Sequence, residues 1–196
     1  MNNPLIEILS ETGLVFRTKE LNEQGLSNYE IGKLVTEGII EKLYQGVYTL
    51  GDIDNLKLTD INVIVENGII SLKSAAFYYK LTTEEEGKIT ITLNRDQKPP
   101  KIPFDLFSYY YTTSRFYDIG LKIIDQNGRK IKIYDVERTV CDILRHRAKY
   151  DSYLIREILE NYLKSEVYDI DKLIMYAKEL RIYNVLKQYL EILGGV

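Results

Sequence analysis

Residues 18–30 read Thr-Lys-Glu-Leu-Asn-Glu-Gln-Gly-Leu-Ser-Asn-Tyr-Glu, and this stretch decides the fold of the N-terminal part. Thr18 is a good N-cap for a short helix, and Gly25 can adopt the left-handed conformation just past the end of that helix. Ser27 begins a second helix, and Glu30, three residues on, completes a capping box. Two helices joined by so tight a break predict a helix-turn-helix.

Two β-prone runs follow the second helix, over residues 39–43 and 47–50, and they turn at Gln45-Gly46 like a hairpin. A helix-turn-helix with a β-hairpin behind it is a winged helix-turn-helix, a fold in which the second helix often lies in the DNA major groove. We therefore predict such a domain over residues 1–52.

The rest of the chain predicts a second domain, residues 56–196, of mixed α/β structure ending in a helical bundle. Alternating polar and apolar residues predict a small β-sheet within 88–134, and apolar spacing near 3.6 predicts helices over 135–193. The fold class is therefore α+β. The predicted elements are helices at 4–11, 60–66, 71–79, 135–146, 152–164, 169–180 and 184–193, and strands at 88–93, 106–112, 121–124 and 130–134.

The composition predicts a globular protein of the cytoplasm. Hydrophobic residues make up 45% of the 196 residues and charged residues 28%, enough for both a core and a hydrated surface. No apolar run approaches the roughly 18 residues of a membrane span, and the N-terminus does not resemble a signal peptide. One cysteine cannot form an internal disulfide, which fits a reducing compartment.

No catalytic, cofactor or metal signature is recognisable in the sequence. There is no Gly-rich phosphate loop, no metal-spaced set of cysteines and histidines, and no nucleophile elbow. Asp96-Gln97-Lys98 after a strand faintly resembles a restriction-type nuclease motif, but it lacks a convincing partner acid and Pro99-Pro100 follows at once. We predict that the protein is not an enzyme, and we keep a nuclease as the weaker alternative.

The charges are unevenly distributed along the chain. Residues 1–58 contain five Lys/Arg and nine Asp/Glu, whereas residues 88–132 contain nine Lys/Arg and four Asp/Glu. Proteins that bind DNA gain much of their affinity by neutralising phosphates with Lys and Arg. The segment with the helix-turn-helix is acidic, and this mismatch counts against DNA binding by the N-terminal domain alone. The basic middle segment would compensate if the two domains present one continuous face.

The second helix of the motif offers the candidate DNA contacts. At 100° per residue, Tyr29, Lys33 and Thr36 lie opposite the apolar face and should point outward. The alternative is a solvated helix face in a winged domain that binds protein and not DNA. The predicted DNA-binding residues are Thr18, Lys19, Ser27, Asn28, Tyr29, Lys33, Thr36, Lys42, Tyr44 and Gln45.

The helix predicted from Asp135 is the other distinctive segment. Asp135 is a good N-cap, and Arg138 and Asp142 are four residues apart, so they can pair along the helix. Cys141 borders the apolar stripe and is expected to be a small core residue, not a nucleophile. The basic residues in and around this helix are predicted to form a surface for phosphate or an acidic partner: Arg129, Lys130, Lys132, Arg138, Arg145, Arg147 and Lys149.

Three stretches of this chain, in the same order, resemble the AbiEi antitoxins of bacterial type IV toxin–antitoxin systems. They are Arg17-Thr18-Lys19-Glu20-Leu21 with Gly25-Leu26-Ser27, then Glu37-Gly38-Ile39-Ile40-Glu41-Lys42 through Gln45-Gly46-Val47-Tyr48, and Ile133-Tyr134-Asp135-Val136-Glu137-Arg138-Thr139-Val140-Cys141-Asp142. The last is the most specific, because it is similar to the family's Tyr-Asp-x-Glu-Arg-Thr-x-Cys-Asp helix.

The resemblance implies a two-domain antitoxin and transcriptional repressor that serves in phage defence. Its winged helix would bind inverted repeats in its own promoter, and its C-terminal domain would supply antitoxin activity. The toxin would be an AbiEii-like nucleotidyltransferase encoded beside it, which such antitoxins often counter without a stable complex. Independently of the resemblance, the missing sequence signatures predict no cofactor, no metal and no membrane partner.

Overall fold

The computed structural model describes residues 13–102, 105–126, 128–166 and 168–194. The helix predicted at 4–11 lies outside these residues. The chain forms two compact units: the first draws on 1–68, 99–105 and 123–131, and the second on 69–98, 106–122 and 132–196.

The fold is α+β, with an N-terminal winged helix-turn-helix, as the sequence predicts. The helices are α1 Thr18–Glu23, α2 Asn28–Thr36, α3 Leu58–Ile64, α4 Leu72–Tyr78, α5 Ser114–Tyr117, α6 Val136–Arg145, α7 Ser152–Lys164, α8 Ile170–Glu179 and α9 Tyr183–Ile192. The strands are β1 Val15–Arg17, β2 Glu41–Tyr44, β3 Val47–Thr49, β4 Ile69–Ile70, β5 Ile89–Asn94, β6 Phe107–Thr112, β7 Leu121–Gln126 and β8 Arg129–Tyr134.

Local capping fixes the start of α2 in the first unit. The Ser27 hydroxyl accepts a hydrogen bond from the Glu30 amide at 3.3 Å, and the Glu30 carboxylate accepts one from the Ser27 amide at 2.8 Å, which confirms the predicted capping box. Gly25, between the helices, has a φ of +91°. The N-cap of α1 is Arg17, not Thr18 as predicted, because β1 leads directly into the helix and the Glu20 carboxylate accepts from the Arg17 amide at 2.7 Å.

The wing is part of a three-stranded antiparallel sheet with the order β1-β3-β2. Gly46 makes the turn between β2 and β3 with a φ of +77°. The helices α1 and α2 pack with Phe16 and Ile40 in a small apolar core, to which they contribute Leu21, Ile31 and Leu34. The sheet and this core hold α2 as a rigid element.

A five-stranded sheet has the order β6-β5-β4-β8-β7. The second unit contains β4, β5, β6 and the second half of β8, whereas most of β7 and the first half of β8 are assigned to the first unit. Strands β5 and β6 are parallel, β4 is antiparallel to β5, and β4 is parallel to β8. The two-residue strand β4 and the short helix α5 were not predicted. Helices α4 and α6 to α9 share one apolar core, in which Tyr162, Leu173 and Ala177 are fully buried.

Among the described residues, every helix is too short or too polar to pass through a lipid bilayer.

Candidate nucleic-acid interface

Helix α2 presents one polar face to solvent. Its inner side buries Ile31 and Leu34. On the opposite side Tyr29 is 82% exposed, and Lys33 and Thr36 are also exposed, as the 100° spacing predicts. The Thr36 hydroxyl donates to the Gly32 carbonyl at 2.9 Å, which leaves its methyl group and the acceptor capacity of its oxygen for an outside partner. This face can approach a groove without displacing any core residue.

The lysines of this region are held only loosely. Lys33 pairs with Glu37 at 3.7 Å, and Lys19 pairs with Glu23 at 3.8 Å, each one helical turn apart and well exposed. Exposed pairs of this kind contribute about 0.3–0.5 kcal/mol. Both lysines could therefore exchange a carboxylate for a phosphate at little cost.

The N-terminal end of α2 carries the predicted residues Ser27 and Asn28, both exposed. The Ser27 hydroxyl donates to the Glu30 carboxylate at 2.7 Å while it accepts from the Glu30 amide. These hydrogen bonds from Ser27 lower the pKa of Glu30. Ser27 is therefore occupied as a cap, whereas Asn28 is the residue at this end whose side chain extends into solvent.

The three predicted DNA contacts on the wing differ in their exposure to solvent. Lys42 and Gln45 are exposed, and Gln45 is at the turn. Tyr44 is only partly exposed, and its hydroxyl donates to the Ile64 carbonyl at 2.6 Å. This burial raises the pKa of Tyr44. Tyr44 thus fastens the wing to the end of α3, and its donor is not available to a phosphate.

Thr18, the remaining predicted contact, has a comparable local role. It is partly buried, and its hydroxyl and amide both point at the Gly46 carbonyl, at 3.4 and 2.9 Å. The start of α1 is thereby tied to the wing turn. The exposed residues of the predicted set are Lys19, Ser27, Asn28, Tyr29, Lys33, Thr36, Lys42 and Gln45.

Arg129 does not belong to a basic surface, so that part of the prediction is wrong. It is 8% exposed, its guanidinium lies 2.9 Å from the Asp60 carboxylate, and it donates to the Val15 carbonyl at 2.7 Å. The same Asp60 carboxylate accepts from the backbone amides of Leu14 and Val15. An internal ion pair therefore ties β8 to α3 and β1 within the first unit. The sequence alone could not show this, because Asp60 is 69 residues from its partner.

Arg138 is the second wrong assignment to that surface. It is 2% exposed, its Nε donates to the Asp142 carboxylate at 3.0 Å, and its Nη1 donates to the carbonyls of Phe116 and Ile119, each at 2.7 Å. The predicted pairing with Asp142 along the helix is confirmed. Phe116 is within α5 and Ile119 follows it, so these hydrogen bonds hold the guanidinium inside the second unit.

Three other basic residues of the predicted surface are exposed in the second unit, namely Arg145, Arg147 and Lys149. Arg147 donates to the Leu144 carbonyl at 3.3 Å, and the Lys149 ammonium lies 4.3 Å from the centre of the Tyr110 ring. Lys130, in the first unit, is exposed, and Lys132, in the second, is partly buried. Of the seven predicted residues, Arg129 and Arg138 are therefore buried, and the exposed ones are divided between the two units.

The structure also locates the residues that were considered for catalysis. Asp96, Gln97 and Lys98 follow β5, and the Gln97 side chain accepts from the Asn94 amide at 3.1 Å, as a turn residue does. Cys141 is fully buried, and burial raises the pKa of its thiol. The described residues contain no group of three or more His, Cys, Asp or Glu side chains placed to hold a metal ion.

A family model described as a transcriptional regulator, AbiEi antitoxin, matches residues 3–51. Residues 3–51 are similar to AbiEi antitoxins. In this stretch the match confirms the resemblance noted from the sequence, and it covers α1, α2 and the wing. The N-terminal residues are therefore similar in sequence to a family of transcriptional regulators.

The fold also resembles a solved structure. The RV2827C protein from Mycobacterium tuberculosis superimposes with a TM-score of 0.59 at 12% sequence identity, over 92% of this chain and 75% of that chain. At this identity the similarity concerns the fold alone. No curated protein is significantly similar to the chain in sequence.

Proposed function

We propose that this protein is a DNA-binding transcriptional regulator of the AbiEi type, and that α2 enters the major groove of an operator in its own promoter. The observation that carries this proposal is the exposed face formed by Tyr29, Lys33 and Thr36 on a helix fixed by its cap and core. The family match over the same residues supports it. Asn28 and Lys33 would contact base edges or phosphates, and Lys42 and Gln45 on the wing would contact the neighbouring backbone.

The charge of this region sets the expected strength of binding. Lys19, Lys33 and Lys42 are its exposed cations among the predicted contacts. Each neutralised phosphate contributes a slope of about −0.9 to the dependence of log K on log salt concentration. Three contacts per winged domain therefore predict a slope of about −3, and recognition would depend more on groove contacts than on charge.

The test is a mobility-shift titration of the full chain on the DNA upstream of its own gene, with Lys33→Glu as the variant. Lys187→Glu is a matched control. Lys187 pairs with Glu191 at 3.7 Å, as Lys33 does with Glu37, and the two lysine side chains are 61% and 63% exposed. We expect Lys33→Glu to weaken operator binding at least about tenfold, since a contact of this kind is worth about 1–3 kcal/mol, and Lys187→Glu to leave it unchanged.

Equal weakening by both substitutions would show that binding follows net charge and not the face of α2, which would overturn the proposal. Unchanged binding in Lys33→Glu would have the same consequence. Circular dichroism of both variants checks that the fold is retained, which is expected because both side chains are exposed.

We also propose that the protein is the antitoxin of a type IV system, with an AbiEii-like nucleotidyltransferase encoded beside it as the toxin. The family match supports this role. Induction of the neighbouring gene should arrest growth, and co-expression of the full chain should restore it. If the Lys33→Glu variant also restores growth, antitoxin activity does not depend on operator binding. If the wild-type chain fails to restore growth, the antitoxin role is refuted.

One observation favours a second candidate, a winged domain that binds protein. Glu23, Glu30, Glu37 and Glu41 are all exposed in and beside α2 and β2. An acidic face of this kind suits a basic protein surface. The same titration distinguishes the candidates, because a protein-binding domain would show no preference for operator over unrelated DNA at moderate salt.

A further inference from the structure

The second unit contains a cavity of about 300 Å³, and none of the residues predicted to contact DNA is among those that line it. Strands β5 and β6 are parallel and in register, so their carboxyl ends meet at one edge of the sheet. Arg95 directly follows β5. Thr112 is the last residue of β6, and Thr113 follows it. All three line the cavity together with the end of α6. In open α/β sheets, ligands commonly bind outside the carboxyl ends of parallel strands.

The charged residues of the cavity leave a positive surplus. Arg138 and Asp142 line it, but they are paired with each other at 3.0 Å and neutralise each other. Arg95 and Arg145 also line it, both are exposed, and neither forms an ion pair with any residue of the described ranges. Arg145 also acts on Asp142 electrostatically, but the cavity is lined by three arginines and this one carboxylate, so its charge is positive.

Arg145 contacts an aromatic ring and donates no hydrogen bond to any residue that the structure describes. Its guanidinium lies 5.6 Å from the centre of the Phe116 ring. Arginines near a helix end often bind the last free carbonyls, but here that contact is made by Arg147, which donates to the Leu144 carbonyl. Stabilisation of the end of α6 therefore does not account for the direction of Arg145.

Uncharged groups complete the wall. The Tyr111 ring is 47% exposed and lines the cavity next to the hydroxyls of Thr112 and Thr113. His146 packs edge-on against Tyr110, with ring centres 5.2 Å apart, and burial together with Lys149 and Arg145 lowers its pKa. At neutral pH His146 is therefore an uncharged hydrogen-bonding group, and the arginines supply the charge.

We propose that this cavity binds the phosphate of a nucleotide, with Arg95 and Arg145 on the phosphate oxygens and the base against the Tyr111 ring. Guanidinium groups bind phosphate oxygens in a two-pronged geometry, and exposed aromatic rings stack on bases. The volume is at the lower end of the range for ligand pockets, about 300–1,000 Å³. It suits one nucleotide, either free or at the phosphorylated end of a single strand, and is too small for a duplex.

Calorimetric titration of the full chain tests the proposal. The probes are the four nucleoside 5′-monophosphates, the matching nucleosides, and a trinucleotide with and without a 5′-phosphate. We expect the phosphorylated forms to bind at least about tenfold more tightly than their unphosphorylated counterparts. Tighter binding of the monophosphate would identify a free nucleotide as the ligand, and tighter binding of the phosphorylated trinucleotide a strand end. Equal binding of phosphorylated and unphosphorylated forms, or no binding of either, would overturn the proposal.

The variants Arg95→Gln and Arg145→Gln assign the binding to this cavity. Each substitution replaces one exposed guanidinium group by an uncharged amide and should weaken phosphate binding about 10- to 100-fold. Arg156→Gln is the control, since Arg156 is an exposed arginine of the same unit, on α7 and outside the cavity. Binding that is unchanged in both cavity variants, or equally weakened in the control, would refute the site.

Lys33→Glu separates this proposal from the proposed DNA function. The variant should keep wild-type nucleotide affinity, because Lys33 belongs to the first unit. Loss of operator binding alone would thus support both proposals. Loss of nucleotide binding in Lys33→Glu would count against a self-contained cavity.

Discussion

Helices α2 and α6 begin in the same way and end up in opposite surroundings. Ser27 caps α2 by accepting from the Glu30 amide, and Asp135 caps α6 by accepting from the Arg138 amide at 2.9 Å. Yet α2 buries only Ile31 and Leu34, whereas α6 buries every residue from Glu137 to Leu144. The local sequence determines where each helix starts. Whether its charged residues face solvent or other parts of the protein depends on the elements packed around it.

The arginines of α6 show the consequence most clearly. Arg138 lies in the interior, with its guanidinium 4.1 Å from the centre of the Tyr134 ring and hydrogen bonds to Asp142 and two carbonyls. Arg145, two turns on, is exposed at the cavity. Residues of one type on one helix therefore serve structure at one end and are available to a ligand at the other.

The largest expected effect is the loss of stability on replacing Arg138. Arg138→Ala leaves Asp142 as an unpaired buried charge and should lower the free energy of unfolding by about 3–5 kcal/mol. Arg145→Ala, on the same helix, should change it by less than about 0.5 kcal/mol, because that side chain is exposed. Urea unfolding followed by circular dichroism measures both values.

A double variant sharpens this prediction. Arg138→Met combined with Asp142→Leu removes both charges and keeps apolar volume, so it should recover much of the lost stability. If Arg138→Ala were as stable as the wild type, or if the double variant were no more stable than Arg138→Ala, the buried pair would not be what holds α5 and α6 together.

The sequence predicted the elements whose signals are local. The capping box at Ser27 and Glu30 and the cap at Asp135 depend on residues within one turn, and the outward face of α2 depends on residues within two turns. Helix α7 was predicted at 152–164 and has those bounds. In each case the apolar periodicity or the cap residue is enough to predict the helix, because no residue pattern in the same stretch favours another conformation.

What the sequence could not give depends on partners distant along the chain. Strands β1 and β4 are too short for an alternating pattern, and β1 forms only by pairing with β3, more than 30 residues later. The burial of Arg129 requires Asp60, and Arg95 joins Arg145 only because β5 and α6 end at the same cavity. The distribution of charges along the sequence therefore does not distinguish a buried arginine from an exposed one.

A smaller effect separates the structural from the exposed residues of the winged domain. Tyr44→Phe removes the hydrogen bond to the Ile64 carbonyl and should lower the free energy of unfolding by about 1 kcal/mol. Operator affinity should stay within about twofold of the wild type, because the tyrosine hydroxyl already has a partner within the protein. Urea unfolding and mobility-shift titration give the two values.

Gln45→Ala provides the neighbouring comparison for Tyr44→Phe. Gln45 is exposed at the wing turn, so its replacement should leave stability unchanged and weaken operator binding. If Tyr44→Phe weakened operator binding more than Gln45→Ala, the hydroxyl of Tyr44 would be a DNA contact after all, and the wing would be attached to α3 less firmly than the 2.6 Å distance indicates.

The smallest effect is a pH dependence at the start of α2. The Ser27 amide and hydroxyl hydrogen bonds lower the pKa of Glu30 below its ordinary value of 4.5, and the side chain is fully exposed. A carboxylate whose pKa is lowered on folding stabilises the fold above its unfolded pKa, and the contribution is lost as the pH falls through the folded pKa. The cap should therefore weaken only below about pH 4.5, with no change near neutrality.

An NMR titration of the Glu30 side chain should show the lowered pKa, and Ser27→Ala should return it towards 4.5 because both donors act through the capping geometry. An unshifted Glu30 in the wild type would mean that the cap is not formed in solution, and α2 would then lack the fixed N-terminal end that distinguishes a groove-binding helix from a merely exposed one.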